Sequence, residues 1–254
     1  MTPTTSRATP VLALAVALCL LPACAATRGP VPSPEYDPLE GFNRKMFWFN
    51  DEVDTWVLAP AATGWEKVLP RPVRTSVSNF FGNVRFPIVA ANDLLQGKFV
   101  AGAKDVGRFA VNTTVGVLGF FDPASHWGLD RHDQDFGRTL GVWGVPAGPY
   151  LVLPLLGPSS PRDAGGIAVD TAFSVTPFFV DWYYLLGARV IDTVNARSFT
   201  LEEVRNAKAA ALDYYAFVRK AYLQRRRALI SGEAELTPEE QQELYYPHLE
   251  EENP

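Results

Sequence analysis

Between Thr139 and Pro161 the chain runs 23 residues without one charged side chain. That is long enough to span the hydrocarbon layer of a bilayer, but Pro146, Pro149, Pro154, Pro158 and Pro161 cannot sit in one straight helix. Gly141, Gly144, Gly148 and Gly157 add turning capacity. An uncharged, broken segment has three places to go: into the protein interior, along a cavity wall, or to an apolar interface. It also exceeds the usual length of a structureless loop, which favours a functional role.

Around this segment the pattern is helical. Phe42, Met46, Phe49, Val53 and Trp56 recur at spacings of four and three, a stripe on one helix face. Asp37-Pro38 suits the helix entry. Phe47 and Trp48 fall on other faces of the same helix, where they pack on a second helix or meet lipid. Further helices are predicted over Arg71–Phe81, Pro87–Leu95, Val100–Thr114, Gly166–Thr176 and Tyr183–Asn195. A long C-terminal helix is predicted over Leu201–Ile230, closed by Arg219, Lys220, Arg225, Arg226 and Arg227. Such a basic end suits the helix dipole or an anionic headgroup. No period of 20–50 residues repeats, which excludes solenoids and propellers.

The first thirty residues predict export. Val11–Leu21 is an eleven-residue apolar run after Arg7, a signal-peptide core too short to span a bilayer. Leu21-Pro22-Ala23-Cys24 resembles the lipobox of bacterial lipoproteins, in which the chain is cut before a cysteine that then carries acyl chains. Residues 1–23 are therefore read as the signal and Cys24 as the lipid anchor. Acyl anchoring is stable because each buried methylene contributes about 0.8 kcal/mol. Ala25 after the cysteine favours sorting to the outer membrane. Residues 24–36, with Pro30, Pro32 and Pro34, form a semi-extended tether reaching ~35 Å at about 3 Å per residue.

Charge divides the chain in the same places. The whole carries −5. The eight glutamates of residues 231–254, with no Lys or Arg, give that acidic tail −8, and Arg7 gives the signal +1, leaving the body from Cys24 to Ile230 at +2. With 47% hydrophobic residues the whole chain is not disordered, and its mildly acidic balance argues against nucleic acid as a partner. Two cysteines cannot build a disulfide framework or a four-cysteine zinc site.

Catalytic motifs are missing. There is no G-x-S-x-G elbow, P-loop, G-x-G-x-x-G or H-E-x-x-H. His126, Asp130, His132, Asp133 and Asp135 are dense enough to suggest a metal, but their spacing matches no recognised site. Turn chemistry and solvation account for that loop, and neither a metal nor a cofactor is expected. Binding or transport is the better class, against a lipid hydrolase using Ser159, Ser160 or the His126–Asp135 loop, or a porin-scaffolding lipoprotein.

Six ordered blocks carry a family likeness. Asp37-Pro-Leu-Glu-Gly-Phe-Asn-Arg-Lys-Met-Phe-Trp-Phe-Asn50 resembles the opening signature of the MlaA (VacJ) family of outer-membrane lipoproteins. Ser78–Asn83, Arg108–Asp122, Asp135–Gly141, Gly148–Gly157 with Arg162–Gly166, and Tyr214–Arg226 are similar to it in turn. The resemblance covers a domain from residue 37 to 230 and implies a mainly α fold. It implies a ring-like arrangement of short amphipathic helices, a broken, uncharged, hairpin-like segment and a long C-terminal helix. It implies an amphipathic channel in the inner leaflet, beside a porin trimer, that takes misplaced phospholipids from the outer leaflet. These pass to an MlaC-like periplasmic lipid carrier. On this reading Phe42, Asn43, Met46, Phe47, Phe49, Gly141, Gly144, Tyr150, Leu151, Leu153 and Leu155 bound the lipid path.

Overall fold

The computed structural model describes residues 37–174 and 180–232. Cys24, the tether and the acidic tail lie outside the described residues. The described chain is mainly helical. Helix α1 spans Glu40–Val53 and runs through a π-helical turn, Asp54–Leu58, into α2, Ala59–Val68. Then come α3 (Arg71–Val84), α4 (Phe86–Leu95), α5 (Phe99–Thr114), α6 (Pro123–His126) and α7 (Phe136–Val142). A two-stranded antiparallel hairpin follows, β1 (Leu151–Leu153) and β2 (Gly157–Ser159), with Val152 opposite Pro158. The chain continues through α8 (Pro161–Ala172), α9 (Trp182–Ser198), α10 (Leu201–Ala210) and α11 (Tyr214–Ser231).

Local chemistry sets these boundaries. Asp122, Asp135, Ser160 and Asp213 each accept a backbone N–H from the first turn of the helix they precede. Asp213 also explains a correction: the helix expected over Leu201–Ile230 is two helices, because the chain is extended at Ala211 and restarts on the Asp213 cap. The uncharged segment is likewise composite. Thr139–Val142 finish α7, a bend follows, 151–159 make the hairpin, and Pro161 opens α8 within its first turn, where a missing N–H costs nothing.

Packing links the elements in a closed circuit. From α1 the contacts run through the π turn to α2, then to α9, α3, α4, α7, α11, β2 and β1, which returns to α1. Helix α5 lies along α4, and α8 along α7. The α7–α8 crossing depends on glycine: a Cβ on Gly166 would sit 2.6 Å from the Gly137 Cα, so only two residues without side chains let these backbones meet.

The burial pattern is inverted. Among the described residues the buried hydrophobics are Ala62, Val89, Ala90, Ala124, Leu140, Tyr150, Val152 and Tyr215, whereas fifteen polar or charged residues are buried. Trp48, Trp56, Phe99, Trp127 and Trp182 are each more than 60% exposed. In a water-soluble domain the uncommon observations are buried polar groups and large exposed apolar ones. Here both hold together. No described helix is long and apolar enough to cross a membrane.

Candidate lipid-contact site

Helix α1 buries one residue, Asn43. Its Nδ2 donates to Asp37 Oδ1 at 3.0 Å and to the Tyr150 carbonyl at 2.9 Å, while its Oδ1 accepts from the Val152 amide at 2.9 Å. Two helical turns on, Asn50 repeats the arrangement. Its Nδ2 donates to the Leu153 carbonyl at 2.9 Å and its Oδ1 accepts from the Leu155 amide at 2.7 Å. Seven residues is two turns of helix, so both amides lie on one face. They pair the free edge of β1 as a neighbouring strand would.

Under this seam sits the core of Tyr150, Val152 and Tyr215, with Met46, Phe47, Tyr222 and Leu223 packed against it. The Phe47 ring meets Tyr214 and Tyr215 edge-on at 5.5 Å. Charges then enclose the aromatics. The Tyr215 hydroxyl donates to Asp37, the Arg44 guanidinium lies 4.4 Å over the Tyr215 ring, and Arg219 lies 5.9 Å from the Tyr150 ring. The expected solvated basic terminus is therefore partly interior. Arg219 is buried, and Arg226 bonds both Asp135 and Asp163 from a largely buried position.

The structure divides the residues expected to bound a lipid path. Phe42, Phe49 and Leu155 are 48%, 40% and 71% exposed, and Trp48 on α1 and Leu156 in the hairpin turn are exposed as well. Leu151 and Leu153 are half-buried on β1. Asn43, Met46, Phe47 and Tyr150 face inward, and the Asn43 amide is taken up by protein, so it braces the hairpin. Gly141 lies elsewhere, on α7, where a Cβ would come 2.7 Å from the Ile230 Cδ1. Gly144, at φ +88°, ends α7 in the left-handed conformation that favours glycine. Both glycines serve packing and chain reversal.

Two features escaped the sequence reading. Asn50 is one, legible only as an Asn seven residues after another. The other is the turn after α5. Val117 and Leu118 adopt φ of 53° and 58°, unusual for any residue with a side chain and costly for a β-branched one. This turn leaves Val115, Val117, Leu118 and Phe121 exposed beside a groove of about 770 Å³ that also involves Thr75 and Trp127. Hydrophobic side chains held outward at a cost in strain form a second apolar surface.

The His126–Asp135 loop does not act as a unit. Asp135 caps α7 and pairs with Arg226, Asp133 lies 4.0 Å from Arg131, and His126 Nδ1 lies 3.3 Å from the Asp122 carbonyl. His132 turns inward, with its Nε2 2.9 Å from Asp93 Oδ2 and 3.4 Å from Asp105 Oδ2. Burial and the adjacent Asp93 carboxyl push the Asp105 carboxyl up to about 7. Ser159 and Ser160 are buried; Ser159 bonds the Ser160 carbonyl and Ser160 caps α8.

Together these features define a helical, hairpin-braced protein with many buried polar groups and many large apolar side chains at its surface. Its profile is that of the MlaA lipoprotein family, which matches residues 35–229, and the chain belongs to that family. It is 37% identical to the intermembrane phospholipid transport system lipoprotein MlaA of Escherichia coli K12 over 232 residues, covering 90% of this chain and 91% of that protein. The protein of the same name from Haemophilus influenzae is 36% identical over 197 residues, with 76% and 78% covered. A solved structure reported as the structural basis for maintenance of bacterial outer membrane lipid asymmetry aligns with a TM-score of 0.70 at 35% identity. It covers 77% of this chain and all of that one.

Proposed function

We propose that this protein is a phospholipid-transport lipoprotein that removes misplaced phospholipids from the outer leaflet of the outer membrane and passes them to a soluble periplasmic carrier of the MlaC kind. The observation that carries the reading is the inverted burial pattern in a chain of the MlaA family. A phospholipid has an anionic head and apolar tails, so a conduit needs polar and apolar walls side by side. The exposed apolar side chains of Phe42, Phe49 and Leu155 lie on α1 and the hairpin, the same elements that carry the half-exposed Arg44 guanidinium, and Asn43 and Asn50 fix the hairpin against α1. Acyl chains on Cys24 would hold the protein at the periplasmic face of the outer membrane, next to a porin trimer.

No catalytic turnover is part of this reading. Both candidate nucleophiles, Ser159 and Ser160, are buried and engaged with backbone at the start of α8. The test places a photo-reactive phenylalanine analogue at Phe42, Phe49, Leu153 or Leu155 in the full-length protein, in membranes carrying radiolabelled phospholipid. Labelling is expected at these four and not at exposed Arg205 on α10. Equal labelling at Arg205 would overturn the path.

A further inference from the structure

We infer that Asp93, Asp105 and His132 form a binding site for a divalent transition metal, with zinc as the ion that fits best. The three come from different parts of the fold: Asp93 from α4, Asp105 from α5, and His132 from the loop that leads into α7. One ligand atom from each lies within 4.8 Å of the others. Around a tetrahedral zinc with bonds of about 2.1 Å, neighbouring ligand atoms stand about 3.4 Å apart. The His132 Nε2 separation of 3.4 Å from Asp105 Oδ2 equals that spacing, and the 2.9 Å hydrogen bond to Asp93 Oδ2 would open by about 0.5 Å to admit the ion.

The second observation concerns the carboxylates. Asp93 is 0% and Asp105 5% exposed. Asp93 Oδ1 and Asp105 Oδ2 are buried oxygens with no hydrogen-bond partner. Buried acceptors are normally satisfied, and two buried carboxylates side by side need a compensating positive charge. Arg108 bonds Asp122 and the Leu129 carbonyl rather than this pair, so the base facing both carboxylates is His132, whose Nε2 bonds Asp93 Oδ2 and leaves Asp93 Oδ1 and Asp105 Oδ2 without a hydrogen-bond partner. A dication would satisfy both oxygens and the imidazole together.

Chemistry selects the ion. Imidazole with carboxylates suits zinc and its transition-metal neighbours, whereas calcium and magnesium prefer oxygen ligands alone. Asp105 and His132 also line a cavity of about 40 Å³, shared with Asn79, Phe86 and Asn112. That is room for the metal-bound water a three-ligand site needs, since one water takes roughly 10–15 Å³. The bound ion would pin the 127–135 loop to the α4–α5 pair. This revises the expectation that the loop serves turns and solvation only.

The experiment uses the full-length lipoprotein in detergent, stripped with a chelator, dialysed and titrated with zinc chloride. One equivalent is expected to bind. With zinc at a hundred times its dissociation constant, the melting temperature should rise by about 5 °C or more. Cobalt in place of zinc should give the visible absorption of a tetrahedral site. His132→Gln, at a partly exposed loop position, should weaken zinc by more than the roughly 10–100-fold that removing an outer partner costs. Asp105→Asn should do the same, and His126→Gln should leave binding intact. Absence of a stoichiometric site in the wild type, or full binding by His132→Gln, would overturn the assignment and leave a proton shared between Asp93 and Asp105. The cobalt spectrum needs only the wild-type chain, so a variant that fails to fold does not blunt the test.

Discussion

The Asn43 side chain joins α1 to β1 by donating to the Tyr150 carbonyl and accepting from the Val152 amide, each at 2.9 Å. Asn43→Ala strands that carbonyl and that amide in a buried place. Each unsatisfied group costs about 1–3 kcal/mol, so a loss of roughly 3 kcal/mol is expected in urea or thermal unfolding. Asn50→Ala, nearer the hairpin tip, should cost about half as much. Equal stability of Asn43→Ala and wild type would show that the amide is not what fixes the hairpin.

Adjacent glycines on α8 should respond in opposite directions. A Cβ on Gly166 collides with the α7 backbone, whereas one on Gly165 meets nothing within 4 Å. Gly166→Ala must push two helices apart and should destabilise by about 1–3 kcal/mol. Gly165→Ala removes backbone freedom from a helix interior and should be neutral or stabilising by about 0.5–1 kcal/mol. Thermal melts of the two variants distinguish the outcomes.

Asp163 should make stability depend on acid. Burial by itself would raise its carboxyl, but hydrogen bonds from Arg226 and Tyr222 and the charges of Arg226 and Arg162 outweigh burial and hold it below the ordinary range. For a depressed carboxyl, the stabilisation is complete above the unfolded value of about 3.9 and disappears as pH falls through the folded one. The wild type should therefore lose stability below about pH 4. Asp163→Asn should start lower, by about 3 kcal/mol near neutrality, because it leaves a buried ion-pair network short of one charge. Its stability should then fall less than that of the wild type between pH 5 and 3. Parallel curves for the two proteins would contradict this account.

The anchor is tested in cells. Cys24→Ala removes the acyl chains, each worth about 0.8 kcal/mol per buried methylene, and should release the mature protein from membranes or leave its precursor unprocessed. Normal processing with retention in the outer membrane would contradict the lipoprotein assignment.

Helix positions were largely legible because Pro and Gly punctuate this chain: the predicted 71–81, 87–95, 100–114 and 183–195 appear as α3, α4, α5 and α9. The break at Ala211–Asp213 was not, since an apolar face continues across it and only the Asp213 cap marks the restart. The direction of the apolar stripe was also hidden. Periodicity finds a face but does not say whether water, protein or lipid covers it. On α1 the stripe is split: Phe42 and Phe49 are exposed, Met46 packs on the core, and the buried position belongs to Asn43. The meeting of His132 with Asp93, 39 residues away, had no local signature at all.

The central claim is that intact phospholipid passes through this protein, and the most direct measurement is a handover assay. The full-length lipoprotein is reconstituted with radiolabelled phospholipid and incubated with a soluble MlaC-like carrier, and the carrier is then separated and its lipid extracted. The account predicts intact labelled phospholipid on the carrier, reduced when Leu153 and Leu155 are replaced by aspartate. Released fatty acid in place of intact lipid, or no transfer above a protein-free control, would contradict it.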